Sequence, residues 1–374
     1  MSLMLDDAPR IRVLVVDDSA FMRTALSRMI ASEPDMQVVG TACCGSEALE
    51  KIPALNPDVV TLDVVMPGLD GIGTLHFIMT KYPRPVLMVS SAIEQDAEIA
   101  LQALSAGAFD CVPKRLSDAS LEIAHIKTAL ASKIRAAAQS RYTCATLRDY
   151  HRRPHSASLE PFNQPLVNAP AVIAIGLSTG GPRALEQILP TFSAEFPLPI
   201  LIVQHMPLGF TAPLARRLNS CSSITVKEAV RGERIRPAVA YIAPAGLHMR
   251  VVPGFSQSSP AISLDENPSD TLHIPAVDEL MNSVAQVFHN RAIGVIMAGM
   301  GSDGAAAITA IYRQGGLTIG QDEASSAVYG MPRVCAQLGV LSRVLPLSDI
   351  PYYLINATQR LMRADAQTIG QSQS

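Results

Sequence analysis

Ser178 lies between an apolar run and a predicted helix, in the segment AVIAIGLSTGGPRAL that covers residues 171–185. The apolar start predicts a buried strand, and Pro182 suits the first turn of a helix. A strand–turn–helix of this kind exposes the serine hydroxyl at a sheet edge and directs helix-start amides toward a developing anion. Gly176, Ser178 and Gly180 also fit the G-x-S-x-G pattern of nucleophilic serines. A glycine-rich turn after a strand binds phosphate at least as often, so this pattern alone leaves both functions open.

Two other strand ends supply the groups that a serine nucleophile needs. His205 follows the apolar run PLPILIVQ, and Asp303 follows AIGVIMAGMGS. A serine hydroxyl is a poor nucleophile at neutral pH, so it requires a base such as histidine, and a carboxylate orients that base. The glycine-rich turns place the amides of Thr179 and Met300 where an anionic intermediate needs donors. The alternatives are a histidine satisfied within the core and an aspartate that only caps a helix.

The chain order of the serine, histidine and acid separates the classes of serine hydrolase. In α/β-hydrolases the acid precedes the histidine, whereas here the histidine precedes the acid. An α/β-hydrolase order would need His289 as the base, and its predicted place at the end of a helix argues against that role. The sequence therefore predicts a different fold. His248 and His273 are expected in loops between strands, where they would line a cleft.

A second set of polar residues lies at strand ends in the first half of the chain. These residues lie at or just past the ends of predicted strands: Asp17 and Asp18 after the first, and Asp63, Ser90 and Lys114 after three others. Ligands bind beyond the carboxyl ends of the strands in doubly wound sheets. Three converging carboxylates repel one another, which implies a cation, and all-oxygen ligands favour Mg²⁺. A lysine among them suits a phosphate. The alternative is that each aspartate only caps a turn.

The elements that position these groups form two α/β regions. Five strands alternate with helices over residues 11–140, which predicts a doubly wound five-stranded parallel sheet. Residues 170–360 repeat the strand–turn–helix pattern and predict a second doubly wound, mostly parallel domain. Residues 141–169 contain prolines and no apolar periodicity, as in a linker. We expect residues 1–10 to be a disordered N-terminus and residues 361–374 a flexible tail.

Composition narrows the possible partners and the compartment. The chain has 374 residues, 48% hydrophobic and 17% charged, with a net charge of −3. This charge gives no reason to expect nucleic acid or an acidic membrane as a partner. The start of the chain lacks the basic and apolar zones of a signal peptide, and no apolar run approaches the roughly 20 residues that span a bilayer. The six cysteines form no CxxC pair and are expected to be free thiols. We expect a cytoplasmic monomer without membrane insertion.

The motifs of the first half resemble a known family. VLVVDDSAFMR, LDVVMPGLDG, MVSSA and the lysine after GAFDCVP are similar to the receiver domain of bacterial two-component response regulators. The resemblance implies a flavodoxin-like fold in which Asp63 accepts a phosphoryl group from a histidine kinase. It also implies that Ser90 and Lys114 contact the phosphoryl oxygens. The Mg²⁺ ligands that it implies are Asp17, Asp18, Asp63 and the Val65 carbonyl.

Two positions depart from the receiver pattern. Cys111 stands three residues before Lys114, where receivers often carry an aromatic switch residue. Arg115 follows the lysine, where a proline is usual. Both departures concern the way in which the signal is relayed outward, while phosphorylation itself should survive them.

The second half resembles the catalytic domain of the chemotaxis protein-glutamate methylesterases. The shared motifs are IGLSTGGP, VQHMPLGFT, YIAPAGLHM, PAVDELM, MAGMGSDGA and GQDEASSAVYGMP. By this resemblance Ser178 is the nucleophile, His205 the base and Asp303 its orienting carboxylate. The amides of Thr179 and Met300 form the oxyanion hole. Two loops depart from the family pattern, at residues 273–276 and 245–247, and both are expected to alter substrate contacts only.

Together the resemblances imply a phosphorylation-activated hydrolase. It would demethylate glutamate methyl esters on chemoreceptors through an acyl-enzyme, release methanol, and also deamidate receptor glutamines. Ester hydrolysis would need no cofactor, and the receiver would cover the catalytic cleft until Asp63 is phosphorylated. Two alternatives remain open. One is that the second domain acts only as a docking module, and the other is that it hydrolyses small esters outside chemotaxis.

Overall fold

The computed structural model describes residues 9–90, 94–114, 120–140, 172–254, 260–266 and 271–359. The chain divides into two compact units between Arg153 and Pro154. The predicted linker, most of the predicted disordered N-terminus and the predicted C-terminal tail lie outside the described residues, so these bounds stay predictions.

The first unit is built on one five-stranded parallel sheet, as predicted, and its strand order is β2-β1-β3-β4-β5. The strands are β1 (Ile11–Val16), β2 (Met36–Ala42), β3 (Val59–Asp63), β4 (Val86–Ser90) and β5 (Asp110–Pro113). The helices are α1 (Ala20–Ala31), α2 (Gly45–Leu55), α3 (Gly71–Lys81), α4 (Glu94–Ala106) and α5 (Ser120–Gln139). β3 and β4 are buried along their whole length, because helices cover both faces of a sheet of this kind.

Two local features shape the carboxyl edge of this sheet. Ser19 caps α1, and its hydroxyl accepts a hydrogen bond from the amide of Met22 at 3.3 Å. Asp70 caps α3 in the same way, with a 2.7 Å bond from the amide of Gly73. Gly71 packs so closely on the backbone at Asp63 that a Cβ atom there would clash with its carbonyl. These features fix the two turns that carry the strand-end carboxylates.

The second unit contains a seven-stranded sheet in the order β14-β13-β12-β6-β7-β9-β8, in which every pair is parallel, and a two-stranded antiparallel hairpin, β10–β11. The strands are β6 (Val172–Leu177), β7 (Ile200–Gln204), β8 (Thr225–Glu228), β9 (Val239–Ile242), β10 (His248–Val252), β11 (Ala261–Asp265), β12 (Ala292–Ile296), β13 (Leu317–Gln321) and β14 (Arg343–Leu345). The helices are α6 (Gly181–Ile188), α7 (Thr211–Cys221), α8 (Val277–Phe288), α9 (Ala305–Arg313), α10 (Met331–Gln337) and α11 (350–359).

The start of α8 packs against two glycines at the centre of this sheet. A Cβ atom at Gly176 or at Gly304 would meet the side chain of Val277. These glycines therefore allow α8 to approach the ends of β6 and β12 closely. The contact brings the first turn of α8 beside the turn that carries Asp303.

The structure corrects one expectation about a histidine. His248 was expected in a loop, but it begins β10 and is fully buried. The strand HMRVV is short and carries Arg250 on its polar face, so its apolar pattern is too weak to predict from the sequence. β13, β14 and α10 were not predicted either, whereas β6, β7 and β12 form where apolar runs predicted buried strands.

Two further observations concern the helices and the cysteines. Within the described ranges, no helix has both the length and the apolar content to cross a bilayer. The five cysteines in those ranges are free thiols, of which Cys111 and Cys335 are buried.

Candidate functional site

Ser178 follows directly on β6, one of the central strands of the second sheet. Gly180, with a φ of +87°, forms the turn that leads into α6. The backbone amide of Ser178 donates to the carbonyl of Ala298 at 3.0 Å, which ties this turn to the one after β12. The serine therefore lies at the carboxyl edge of the sheet, as the sequence predicted.

His205 lies at the same edge, because β7 is the parallel neighbour of β6. Leu177 pairs with Gln204, so Ser178 and His205 are the next residues on each strand. The Nε2 atom of His205 lies 2.7 Å from the Oδ2 atom of Asp303. An ionised carboxylate can only accept hydrogen bonds, so Nε2 carries the proton and Nδ1 is the basic nitrogen. Nδ1 is buried and has no hydrogen-bond partner among the described residues.

Asp303 makes the contacts that both of its predicted roles require. Its Oδ2 atom accepts from the amide of Val277 at 2.7 Å, and its Oδ1 atom accepts from Asp278 at 2.9 Å, so it caps the start of α8. Burial alone would raise the pKa of this carboxyl. The hydrogen bond and charge of His205, together with the two amides, outweigh burial and hold the pKa below its ordinary value. The carboxylate is therefore ionised when it orients the imidazole.

Met300 belongs to the turn that follows β12, and this turn packs against the serine. A Cβ atom at Gly299 would lie 2.9 Å from the Cβ atom of Ser178. Only glycine permits that approach, so the backbones around Ser178 and Met300 are neighbours. Thr179 is also buried there, with 3% of its surface exposed. All five predicted residues of the second domain therefore come together at one edge of its sheet.

The predicted residues of the first unit meet at the edge of the other sheet. Lys114 places its Nζ atom 2.6 Å from Asp63 and 3.0 Å from Asp17. Oxygen atoms of Asp17, Asp18 and Asp63 all lie within 4.8 Å of one another. Ser90, at the end of β4, is buried, and its carbonyl accepts from the Lys114 amide at 2.7 Å.

Charge dominates this first site. Burial raises the pKa of the Asp63 carboxyl, and the charge of Asp17 acts in the same direction, against the opposing effect of Lys114. Burial alone would lower the pKa of Lys114, but its two carboxylate partners raise it above the ordinary value. Three carboxylates with one lysine leave the site negative. An all-oxygen donor set of this kind fits Mg²⁺.

Comparison with known proteins gives the family. Residues 13–125 match the response regulator receiver domain, and residues 173–354 match CheB methylesterase. A protein-glutamate methylesterase/protein-glutamine glutaminase of Nitratidesulfovibrio vulgaris is 42% identical over 365 residues, which cover 92% of this chain and 99% of the relative. The relative from Pyrococcus abyssi is 42% identical over 94% of this chain and 95% of its own length.

The chain belongs to the CheB methylesterase family. A solved structure, the catalytic domain of Thermotoga maritima CheB methylesterase, is 39% identical and covers 50% of this chain and 98% of that chain, with a TM-score of 0.49. The resemblances stated from the sequence are confirmed for both domains, and so is the order of receiver before methylesterase. The acidic cluster of Asp17, Asp18 and Asp63 is typical of the Mg²⁺ site of receivers.

The expectation that the loop at residues 273–276 alters substrate contacts only is wrong, because a histidine of this loop contacts the predicted base. His273 stacks on His205, with ring centroids 4.1 Å apart and planes 22° apart. The loop that carries His273 is anchored by His248, whose Nδ1 accepts from the Ala276 amide at 3.2 Å. Burial lowers the pKa of His248, which keeps it neutral and able to accept. The sequence predicted that both histidines would line a cleft. Nothing in the sequence pattern indicated the stack on His205 or the bond to Ala276.

Gln204 is a residue that sequence reasoning missed. It is 1% exposed, and its Nε2 atom donates to the carbonyls of Ser178 and His205, each at 2.9 Å. A buried amide at the end of an apolar strand is a signal that was available in the sequence, because such a group needs buried partners. The alternative base His289 contacts Gln314 instead, at 2.8 Å.

Proposed function

We propose that Ser178, His205 and Asp303 hydrolyse glutamate methyl esters on methyl-accepting chemoreceptors. His205 Nδ1 takes the proton of the Ser178 hydroxyl as its oxygen attacks the ester carbonyl. The negative charge moves to the carbonyl oxygen, where the amides of Thr179 and Met300 stabilise it. The observation that carries this proposal is the 2.7 Å bond between His205 and Asp303 beside the serine turn.

Collapse of the tetrahedral anion breaks the bond to the methoxy oxygen. His205 returns its proton to that oxygen, methanol leaves, and the glutamyl group remains on Ser178 as an ester. Water then attacks the acyl-enzyme, with His205 again taking the proton, and the free glutamate and the serine hydroxyl are restored. A glutamine side chain passes through the same anion and releases ammonia. This supports deamidation by the same residues and requires no cofactor.

We also propose that phosphorylation of Asp63 activates this hydrolysis. An Asp63 oxygen attacks the phosphorus of the phosphohistidine of a chemotaxis kinase, and the histidine leaves. Mg²⁺ held by Asp17, Asp18, Asp63 and the Val65 carbonyl would neutralise the phosphoryl charge. Lys114 contacts Asp63, and Ser90 directly follows Val89, the residue paired with Asp63, so both would contact the new oxygens. The added charge of about −2 at this edge is the signal that regulates the second domain.

Methanol release from methylated receptors in membrane vesicles tests both proposals. With wild-type protein, acetyl phosphate and Mg²⁺ should increase the rate. Ser178→Ala should lower methanol release by at least about 10⁴-fold and leave labelling of Asp63 by acetyl phosphate unchanged. Asp63→Asn should remove the increase caused by acetyl phosphate. Wild-type methanol release by Ser178→Ala would exclude Ser178 as the nucleophile.

A further inference from the structure

Each proposed oxyanion donor shares a peptide plane with a carbonyl that is held in place by other groups. The amide of Thr179 belongs to the same peptide as the carbonyl of Ser178, and the amide of Met300 to the same peptide as the carbonyl of Gly299. A peptide group is planar, so a hydrogen bond to its carbonyl fixes the direction of its N–H. The groups that bind these two carbonyls therefore determine where the two N–H bonds point.

The Ser178 carbonyl is held by two donors. One is the amide of Gly181 at 2.9 Å, which closes the turn locally. The other is the side chain of Gln204 at 2.9 Å, which comes from the neighbouring strand β7. The same Nε2 atom donates to the carbonyl of His205. Gln204 thus uses both of its N–H bonds to fix the nucleophile's turn relative to the base.

The Gly299 carbonyl is held by the start of α10. It accepts from the amide of Gly330 at 3.0 Å and from the amide of Met331 at 2.9 Å. A Cβ atom at position 330 would lie 2.5 Å from that carbonyl oxygen and 3.1 Å from the Cα atom of Met300. Gly330 has a φ of −104°, which any residue can adopt. Its lack of a side chain therefore matters for this close approach, and not for backbone strain.

We propose that Gln204 and Gly330 are positioning residues of the oxyanion hole. Neither touches the substrate. Each holds one donor peptide from its carbonyl side, so that the N–H is oriented before the reaction, and a hydrogen bond at the carbonyl also strengthens the N–H as a donor. The inference rests on the proposed function, because it assumes that Thr179 and Met300 supply the donors.

Steady-state kinetics of the full-length protein on a soluble glutamyl methyl ester peptide tests this role. The variants are Gln204→Met, which keeps the length of the side chain without its donors, and Gly330→Ala. The oxyanion develops only in the transition state, so each should lower kcat about 10- to 100-fold and change KM less than twofold. An alkylboronic acid, which forms a tetrahedral adduct with an active-site serine, should bind more weakly by a similar factor.

Two variants serve as matched controls. Gln337→Met changes an exposed glutamine on α10. Gly294→Ala adds a Cβ atom whose nearest neighbours are side-chain atoms of Ile308 and Ile311, at 3.0 Å or more. Both should keep the wild-type kcat and the wild-type affinity for the boronic acid. Thermal unfolding of each protein shows whether it folds. If one test variant fails to fold, the other still tests positioning from the carbonyl side at its own donor peptide.

The outcomes separate this inference from the function on which it rests. Wild-type kcat in folded Gln204→Met or Gly330→Ala would overturn the positioning role of that residue. A lower kcat with unchanged affinity for the boronic acid would overturn it too, because the hole would then be intact. Wild-type activity in Ser178→Ala would instead contradict the proposed function itself.

Discussion

The two sheet edges of this protein share a topology and differ in how they handle charge. Both sites lie where parallel strands end, and both contain a buried aspartate. In the receiver, Asp17 and Asp63 share one lysine and leave the site negative. In the methylesterase domain, Asp303 is compensated by one imidazole and by the first amides of α8.

This difference explains why the two edges suit different reactions. The receiver edge is unbalanced, so it attracts a cation, and it responds to a phosphoryl group whose charge changes its balance. At the methylesterase edge, hydrogen bonds from His205 and two amides satisfy the one carboxylate, Asp303, in the resting state, and in this sense the edge is balanced. The donors that we propose there are backbone amides held from their carbonyl sides, which would lower the cost of forming an anion. In our proposal one edge therefore senses charge, and the other stabilises charge during a reaction.

The largest effect is expected when Asp303 of the methylesterase edge is changed. Asp303→Asn removes the charge that orients His205 and allows the wrong tautomer, so kcat should fall by about 10⁴-fold. Methanol release from a glutamyl methyl ester measures it. Asp265→Asn, on β11 and hydrogen-bonded to Arg250, is the control and should retain activity. A loss of less than tenfold in Asp303→Asn would show that the carboxylate only caps α8.

Removal of divalent metal should affect only the receiver site. A bound cation supplies several kcal/mol of charge stabilisation to a transferring phosphoryl group, so excess EDTA should lower labelling of Asp63 by about 10³-fold. Basal hydrolysis of a soluble ester by the same sample should not change. Added Mg²⁺ should restore the labelling. Loss of basal hydrolysis in EDTA would contradict the separation of the two chemistries.

A smaller effect concerns the ring that stacks on the base. His273→Ala removes a stacked aromatic partner worth about 0.5–1.5 kcal/mol, so kcat should fall about two- to tenfold. His273→Phe keeps a stacked ring and should recover most of the activity. This variant distinguishes the methylesterase edge from the receiver edge, because the stack orients His205 without adding a fixed charge. Equal losses in both variants would mean that His273 acts through its nitrogen atoms.

The smallest effect is on stability at acid pH. The pKa of Asp303 lies below its ordinary value of 3.8 in the folded protein. Its stabilising contribution is therefore complete above that value and is lost as pH falls through the folded pKa. The difference in the free energy of unfolding between the wild type and Asp303→Asn should be constant from about pH 7 to 5 and shrink below 3.8. Urea unfolding measures this difference, and an increase at low pH would contradict it.

Most of the polar side chains at the carboxyl ends of the strands were predicted from the sequence. Runs such as IRVLVV and ILIVQ are apolar because parallel strands are buried on both faces, and polar residues directly after them lie at the carboxyl edge. Ser178, His205 and Asp303 were found in this way, as were Asp17, Asp63 and Lys114. Their placement depends only on strand order and parallel direction, which the alternating pattern of strands and helices indicates.

Contacts made by loops could not be predicted in the same way. The stack of His273 on His205 depends on a loop held by His248, and a short half-polar strand gives that loop no periodic signal. The bonds from Gly330 and Met331 to Gly299 join residues 31 and 32 positions apart through backbone atoms, which carry no sequence information. Gln204 could have been found, because a glutamine inside an apolar strand requires buried partners.

The proposed mechanism depends on attack of the Ser178 hydroxyl on the ester carbonyl. Trapping of the acyl-enzyme tests this step. Full-length protein is mixed with a glutamyl methyl ester peptide, quenched in acid within the first turnover, digested and analysed by mass spectrometry. We expect a glutamyl adduct on the peptide that contains Ser178, and no adduct in Ser178→Ala. Methanol release in the first turnover with an adduct on another residue would contradict it.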